Sequence, residues 1–415
     1  MSEKSATLVI NEQMQEYVRN GVPVINLGFG EAGLPVLPVL RDLVAAHSAL
    51  NAYPAVQGAV STRRAIAGYF QRRSIPADAD LCLLAPGSKA ILYGLLASIP
   101  GDLVLARPSW VSYAAQAEHL HKNVIWCQAP ASAGGIPDPQ LLPSVLEEAR
   151  RSGFDPRVMI LTSPDNPSGT VASAEQLRAL ATTAESQDLV VISDEIYRDL
   201  AYDQAGYTSV AELIPDRTVV TTGLSKSLAL GGWRLGVARF PATADGQALH
   251  DRFIALASEL WSGTSILLEP VVEYAFNESP DVVRRITRSR HLHSTVSHAI
   301  YQIFRDAGAA VREPTGGFYL YPNLAGTGLA RRLGAHTDGQ LSATLMDRFR
   351  IATLPGSAFG DLPERIGLRI VTSMLYGISD EQRLATLDAG DPLSRPSVSQ
   401  GLERIREVVL SDSPS

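Results

Sequence analysis

Cysteine is nearly absent: Cys82 and Cys127 are the only 2 in 415 residues. Two cysteines cannot build a disulfide scaffold or a cysteine-rich zinc site, so no metal site is expected, and their scarcity suits a reducing compartment. An excess of positive charge is missing as well. Lys and Arg total 36 against 43 Asp and Glu, a formal net charge of −7, so binding to nucleic acid has no electrostatic support. No uninterrupted apolar run reaches the ~18–20 residues of a membrane span. The start, Met-Ser-Glu-Lys-Ser, leads into a polar, helix-like stretch and not into the apolar core of a secretory signal. These absences leave an acidic, soluble protein expected in the cytoplasm, with neither membrane nor nucleic acid as partner. What is abundant is 45% hydrophobic residues, ample for a large core, with 33 glycines and 26 prolines, many at the ends of short apolar runs where turns belong.

The length predicts two to three domains. Short runs rich in Val, Ile and Thr occur at residues 103–106, 124–127, 158–162, 189–193, 219–222 and 235–240. They are nearly continuously apolar, as strands covered on both faces should be. Helix-like stretches at 139–151 and 174–187 lie between them, the second opening at Ser173 or Ala174 with Glu175 in its first turn. Strands alternating with helices imply an α/β fold with a mostly parallel central sheet flanked by helices. The ends read differently. Residues 1–48 carry one helix, a strand at 24–27 and a Gly/Pro-rich turn at 28–35; after about residue 305 come a turn at 314–317 and strands at 318–320 and 367–372. This predicts a large domain at 49–304 and a smaller α+β domain built from 1–48 with 305–415. The basic run 284–290, with two histidines behind it, reads as a solvated helix face. The stretch 376–397, loop-rich in its second half, reads as surface decoration.

The sharpest segment is Gly223-Leu-Ser-Lys-Ser-Leu-Ala-Leu-Gly-Gly-Trp-Arg-Leu-Gly. Lys226 follows a strand and sits among small and apolar residues. Burial disfavours an ammonium and lowers its pKa, which suits an amine that must attack a carbonyl. Arg234, eight residues on, can hold a phosphate. Pro86-Gly-Ser-Lys-Ala follows the apolar run 81–85 and opens a helix, so its free N–H groups and helix dipole favour an anion. Asp194 lies directly behind the apolar run 189–193, where α/β sheets place their ligands. Taken singly, Asn166 belongs to a good turn and Arg369 to an exposed strand, while a core tryptophan and a helix cap are the competing readings of Trp110 and Asp194.

Together these segments resemble the class-I/II aminotransferases, the fold-type-I pyridoxal-phosphate enzymes of the aspartate-aminotransferase type, over roughly residues 12–375. The resemblance implies pyridoxal 5'-phosphate as cofactor, held by Lys226 as a Schiff base. It implies that Gly87, Ser88, Lys89, Ser225 and Arg234 surround the phosphate, that Trp110 stacks on the ring, and that Asp194 pairs with the ring nitrogen. Asn166 and Tyr197 would hydrogen-bond the phenolic oxygen. Arg369, with Asn166 and the N–H of Gly30, would grip the substrate's α-carboxylate. Tyr53, in Tyr53-Pro-Ala-Val-Gln-Gly followed by Arg63, would reach the phosphate of a neighbouring subunit, implying a homodimer with shared active sites. The implied activity is transfer of an amino group between an amino acid and a 2-oxo acid, with Lys226, Asp194 and Tyr197 as catalytic residues.

Two departures matter. Gly223 stands where many relatives have a phosphate-binding serine, and Glu31-Ala-Gly-Leu-Pro stands where many have Glu-Pro-Asp-Phe. The second turn borders the substrate side chain, and no second arginine for a dicarboxylate is identifiable, so the substrate stays open. An alternative on the same scaffold is a secondary-metabolism enzyme that uses the cofactor for elimination, cyclisation or oxidation of an amino acid.

Overall fold

The computed structural model describes Glu12, Met14, Glu16, Tyr17 and residues 19–411; most of the N-terminal helix-like stretch lies outside them. The first described strand, Ile25–Asn26 (β1), belongs to the smaller part. The central sheet has seven strands: Cys82–Ala85 (β2), Asp102–Arg107 (β3), Val124–Gln128 (β4), Pro156–Thr162 (β5), Val190–Asp194 (β6), Thr218–Gly223 (β7) and Gly236–Arg239 (β8). Their order is β2-β8-β7-β6-β5-β3-β4. All neighbours run parallel except at β8, which is antiparallel to both β2 and β7. The apolar run at 235–240 carries no sign of that reversal. It follows from the short return from β7, which is filled by the turns that carry Lys226 and Arg234 and leaves no room for a crossover helix.

Both faces of the sheet are covered, which is why its strands lack alternation. Along β5, Val158 and Ile160 join the apolar cluster under the helices Ser88–Ser98, Val111–His119 and Ala244–Leu260. Met159 and Leu161 point the other way, into a cluster with Leu142 and Leu146 of one helix and Leu177 and Leu180 of another. That last helix, Ala174–Ser186, starts where its sequence signals place it. The Ser173 hydroxyl accepts from Gln176 N–H and the Gln176 side chain returns the bond to Ser173 N–H.

A second core gathers Leu27, Leu34 and many residues from 292 to 409. It is backed by a small antiparallel sheet in which Leu368–Val371 (β12) lies between Tyr319–Leu320 (β9) and Leu354–Pro355 (β11), while Ile351–Ala352 (β10) pairs with β1. Two helices cross the expected sequence division. Pro38–Ala46 packs Leu40 into the cluster of Phe70 and Val271 on the large-sheet side. Pro280–Asp306 buries Val282 in that same cluster and Val296 and Ile300 in the C-terminal one.

That long helix corrects the reading of 284–290 as a solvated face. Arg284 is exposed, but Arg285 is buried and donates to Pro35 O at 2.5 Å. Arg288 pairs with Asp388, and buried His293 shares a 2.6 Å hydrogen bond with the Tyr376 hydroxyl, its pKa pushed down to about 3 by burial. A run of this length spans nearly two helical turns, so some of its residues must face inward. The stretch 376–397 includes the helix Asp380–Leu387, buries Thr386 and Leu387, and lines no part of the central cavity described next.

Candidate active site

The carboxyl ends of the parallel strands converge on a cavity of about 480 Å³ between the sheet and the C-terminal core. Gly30, Ser88, Lys89, Trp110, Asn166, Asp194, Tyr197, Ser225, Lys226, Arg234 and Arg369 all line it. Gly87 stands directly behind Ser88 as the N-cap of its helix. Tyr53 is not brought in: it is 97% exposed and faces away from its own chain.

Lys226 lies on the one-turn helix Leu224–Ser227 that follows β7. Its Nζ donates to Gly30 O at 2.5 Å and stands 5.9 Å from the ring centres of Tyr197 and Phe318. Burial, reinforced by the nearby Arg369 guanidinium, lowers its pKa from 10.5 to about 8. Gly30 thus presents its carbonyl to this lysine, whereas the sequence reading assigned a role to its N–H. A Cβ on Gly30 would fall 2.7 Å from the Tyr319 hydroxyl.

Asp194 ends β6 on the cavity floor. Its Oδ2 accepts from Tyr113 OH at 2.7 Å and its Oδ1 from Thr221 Oγ1 at 3.2 Å. Burial nevertheless raises its pKa to about 6, against the lowering effect of those two donors. Tyr113 also contacts Thr162 Oγ1 at 2.8 Å and packs edge-on against Trp110. Sequence reasoning gave Tyr113 no role; its place one helical turn after Trp110 was the available signal.

An anion cradle forms where β2 turns into the helix Ser88–Ser98. Gly87 adopts φ +94°, and a Cβ there would lie 2.9 Å from the guanidinium carbon of Arg234. Only glycine allows both that backbone and that approach. Arg234 is itself in the left-handed region, at φ 57°, and Nη1 donates to Gly231 O at 2.9 Å. The helix N-terminus and the guanidinium therefore face one spot. Gly223 pairs with Gly236 across β7 and β8, and a Cβ on Gly223 would collide with Leu235 O and come within 3.1 Å of Gly236 Cα. That pairing excludes the serine of many relatives without a shift in the backbone.

Arg369 in β12 is fully buried. Its Nη2 donates to Gly28 O and its Nη1 to Asn166 Oδ1 at 3.4 Å, while its Nε is buried with no hydrogen-bond partner among the described residues. The guanidinium sits over the rings of Tyr319 and Phe359, at 5.4 and 5.1 Å. Tyr319 shares a 2.7 Å hydrogen bond with Tyr197; it went unassigned in the sequence because nothing local links residues so far apart. At the outer wall, Lys89 Nζ lies 5.2 Å from the Trp110 ring centre, its pKa lowered by burial and by Arg234. No carboxylate lies within 4 Å of it among the described residues.

Such a site, with a depressed buried amine between an anion cradle and a buried carboxylate at strand ends, defines a lysine-centred enzyme for phosphate-bearing carbonyl groups. Residues 22–374 match the family model "Aminotransferase class I and II". The chain is 31% identical over 376 residues to a bifunctional aspartate aminotransferase and glutamate/aspartate-prephenate aminotransferase of Petunia hybrida, covering 86% of this chain and 75% of that one. It is 29% identical over 388 residues to an aspartate aminotransferase of Geobacillus stearothermophilus, covering 89% and 92%. Among solved structures, an aspartate aminotransferase mutant of Thermus thermophilus superposes with a TM-score of 0.81 at 22% identity, covering 98% of this chain and 97% of that one. One from Rhizobium meliloti gives 0.78 at 26% identity, covering 98% and 96%. The chain belongs to the class I and II aminotransferase family and shares the aspartate-aminotransferase fold. It is an aminotransferase that acts on amino acids and 2-oxo acids with pyridoxal phosphate.

The residues present fit that cofactor. The glycine-floored cradle with Arg234 suits its phosphate, and the buried Asp194 suits a cationic ring nitrogen, which would relieve the desolvation of its carboxylate. The lowered pKa of Lys226 suits bonding to its aldehyde. Among the described residues no group of three or more His, Cys, Asp and Glu is placed to hold a metal ion, and no helix is long and apolar enough to cross a membrane.

Proposed function

We propose that this aminotransferase takes acidic amino acids, and that its site residues other than Lys89 play the parts the family resemblance implies. Lys89 carries the substrate class: a partly desolvated ammonium at the outer wall with no carboxylate partner within 4 Å among the described residues. It can take a second carboxylate while Arg369 takes the first. The relatives named as aspartate aminotransferases support the same class.

Bound pyridoxal phosphate supplies an electron sink that acidifies the α-carbon of an amino acid. Around it the chain supplies charge, position and a base. Gly87, Ser88, Ser225 and Arg234 hold the phosphate, Trp110 covers the ring, and Asp194 keeps a negative charge at the ring nitrogen. Asn166 and Tyr197 donate to the phenolic oxygen. Arg369 has an Nε without a partner among the described residues, so its planar fork holds the α-carboxylate without giving up its bond to Gly28 O. Lys226 Nζ, neutral above about pH 8, takes the proton from the substrate's α-carbon.

A panel of amino donors, each read by the spectral change of the cofactor on accepting the amino group, tests the substrate class. Aspartate and glutamate are expected to react fastest. Lys89→Ser should raise their KM about 10- to 100-fold and leave uncharged donors nearly unaffected, as loss of a charged hydrogen bond implies. A preference for basic or aromatic donors would sink the acidic assignment.

Tyr53 motivates the second part of the proposal. An almost fully exposed aromatic is where a second copy of the chain would be met, as a homodimer with each Tyr53 at the partner's phosphate. Tyr53→Phe should weaken cofactor retention about tenfold or more, measured by equilibrium dialysis. Full activity in a dilute monomer would refute the shared site. The division into bodies 49–304 and 1–48 with 305–415, bridged by the helices Pro38–Ala46 and Pro280–Asp306, and a cytoplasmic location belong to the same proposal.

A further inference from the structure

Behind the wall of the active site lies a second cavity, of about 390 Å³. Its walls come from both bodies of the fold. Arg107 closes the end of β3; Arg312 stands on the segment that follows the helix Pro280–Asp306; Asp361 and Arg365 come from the loop before β12. Neither Ser88 nor Arg234 nor Arg369 lines it, so it is separate from both the phosphate cradle and the α-carboxylate grip.

The charges here are not balanced. Asp361 is satisfied within its own neighbourhood, accepting from Tyr321 OH at 3.0 Å, Leu362 N–H at 2.9 Å and Arg365 Nη1 at 3.3 Å. That carboxylate neutralises Arg365. Arg107 and Arg312 have no carboxylate within 4 Å among the described residues. Arg312 is held by neutral groups, Nε donating to Ala131 O and Nη2 to Pro130 O, each at 2.8 Å. Its longer-range acidic neighbours are Asp361 and the buried Asp165, whose own pKa is raised to about 6 by burial. Arg107 lies against the Trp126 ring, 4.9 Å from its centre, and its Nε is buried with no hydrogen-bond partner among the described residues. A buried guanidinium N–H without an acceptor is costly, and two guanidiniums in one cavity repel. A small oxyanion between them removes both penalties at once, since its oxygens match the guanidinium fork.

We propose that this inter-domain cavity is a second anion site, which takes a small dianion such as orthophosphate between Arg107 and Arg312. An occupant would tie the end of β3 to the C-terminal body. It would also stand three residues from Trp110 of the active cavity, along a turn in which Ser109 N–H donates to Phe359 O at 3.0 Å.

Equilibrium dialysis of the holoenzyme against radiolabelled orthophosphate at constant ionic strength tests this. The holoenzyme is needed because the cofactor's own phosphate then fills the cradle at Gly87 and Ser88. One exchangeable phosphate per chain is expected. Binding should weaken about tenfold or more in Arg107→Gln and, independently, in Arg312→Gln, and persist in Arg369→Lys. Unlabelled succinate separates the sources of the anion. Displacement at comparable concentration assigns the site to dianions in general, and retention of label assigns it to phosphate; either supports the site. No bound phosphate in the wild type, wild-type affinity in both glutamine variants, or loss of binding in Arg369→Lys overturns it.

Discussion

Lys226→Ala will lower kcat for transamination by at least about 10⁴-fold, the upper range for loss of a positioned general base, and more where the covalent hold on the cofactor is also lost. No nearby group can substitute. Among the described residues the only other lysine on the cavity wall, Lys89, stands at the outer side against Trp110. The same residue predicts a pH dependence. In cofactor-free protein, burial and Arg369 bring the amine down to about 8 from 10.5. A depressed pKa on a base means that the ammonium persists below about pH 8 and the reactive neutral amine prevails above it. Capture of added pyridoxal phosphate should therefore rise through pH 8, well before an ordinary lysine would respond. Borohydride should then fix the cofactor to the peptide that carries Lys226. Label on another lysine, or a capture profile centred near 10.5, would contradict the assignment.

Asp194→Asn should cost about 10²- to 10³-fold in kcat, the scale of removing one preorganised electrostatic group from a buried reaction site. The substitution keeps the shape and removes the charge. It also turns an acceptor-only group into one with an amide NH₂ facing the Tyr113 and Thr221 hydroxyls, which now donate to the carboxylate at 2.7 and 3.2 Å. The cavity should survive, because Tyr113 keeps Thr162 at 2.8 Å as a partner. Steady-state rates alongside cofactor affinity distinguish the causes. A large loss in kcat with the cofactor still bound supports the electrostatic role, whereas activity within tenfold of wild type would remove Asp194 from the catalytic set.

Much of the site was legible because its parts are local. A turn at Gly87 before a helix, a carboxylate at the end of β6 and a lysine in a small-residue turn after β7 each leave a mark within a few residues. Strand ends at one edge of a parallel sheet then bring them together almost automatically. The unread parts share a different feature. Tyr113 reaches Asp194, Tyr319 reaches Tyr197, and Arg369 reaches Gly28, all between segments remote in sequence. The reversal of β8 and the burial of Arg285 are of the same kind, since the periodicity of a segment does not tell which neighbour it will meet.

The carboxylate grip of Arg369 came only with the family resemblance, whereas the amino-acid order by itself pointed to the α/β class, the two-sided burial of the central strands and residues suited to bind an anion and attack a carbonyl. Those properties reside in single segments and follow from turn chemistry, helix dipoles and side-chain type. The depressed pKa of Lys226, the raised pKa of Asp194, the outward position of Tyr53 and the meeting of Arg107 and Arg312 in one cavity arise only once distant segments meet. Desolvation and charge–charge interaction depend on distance in space and on excluded water, and the packed fold alone sets both.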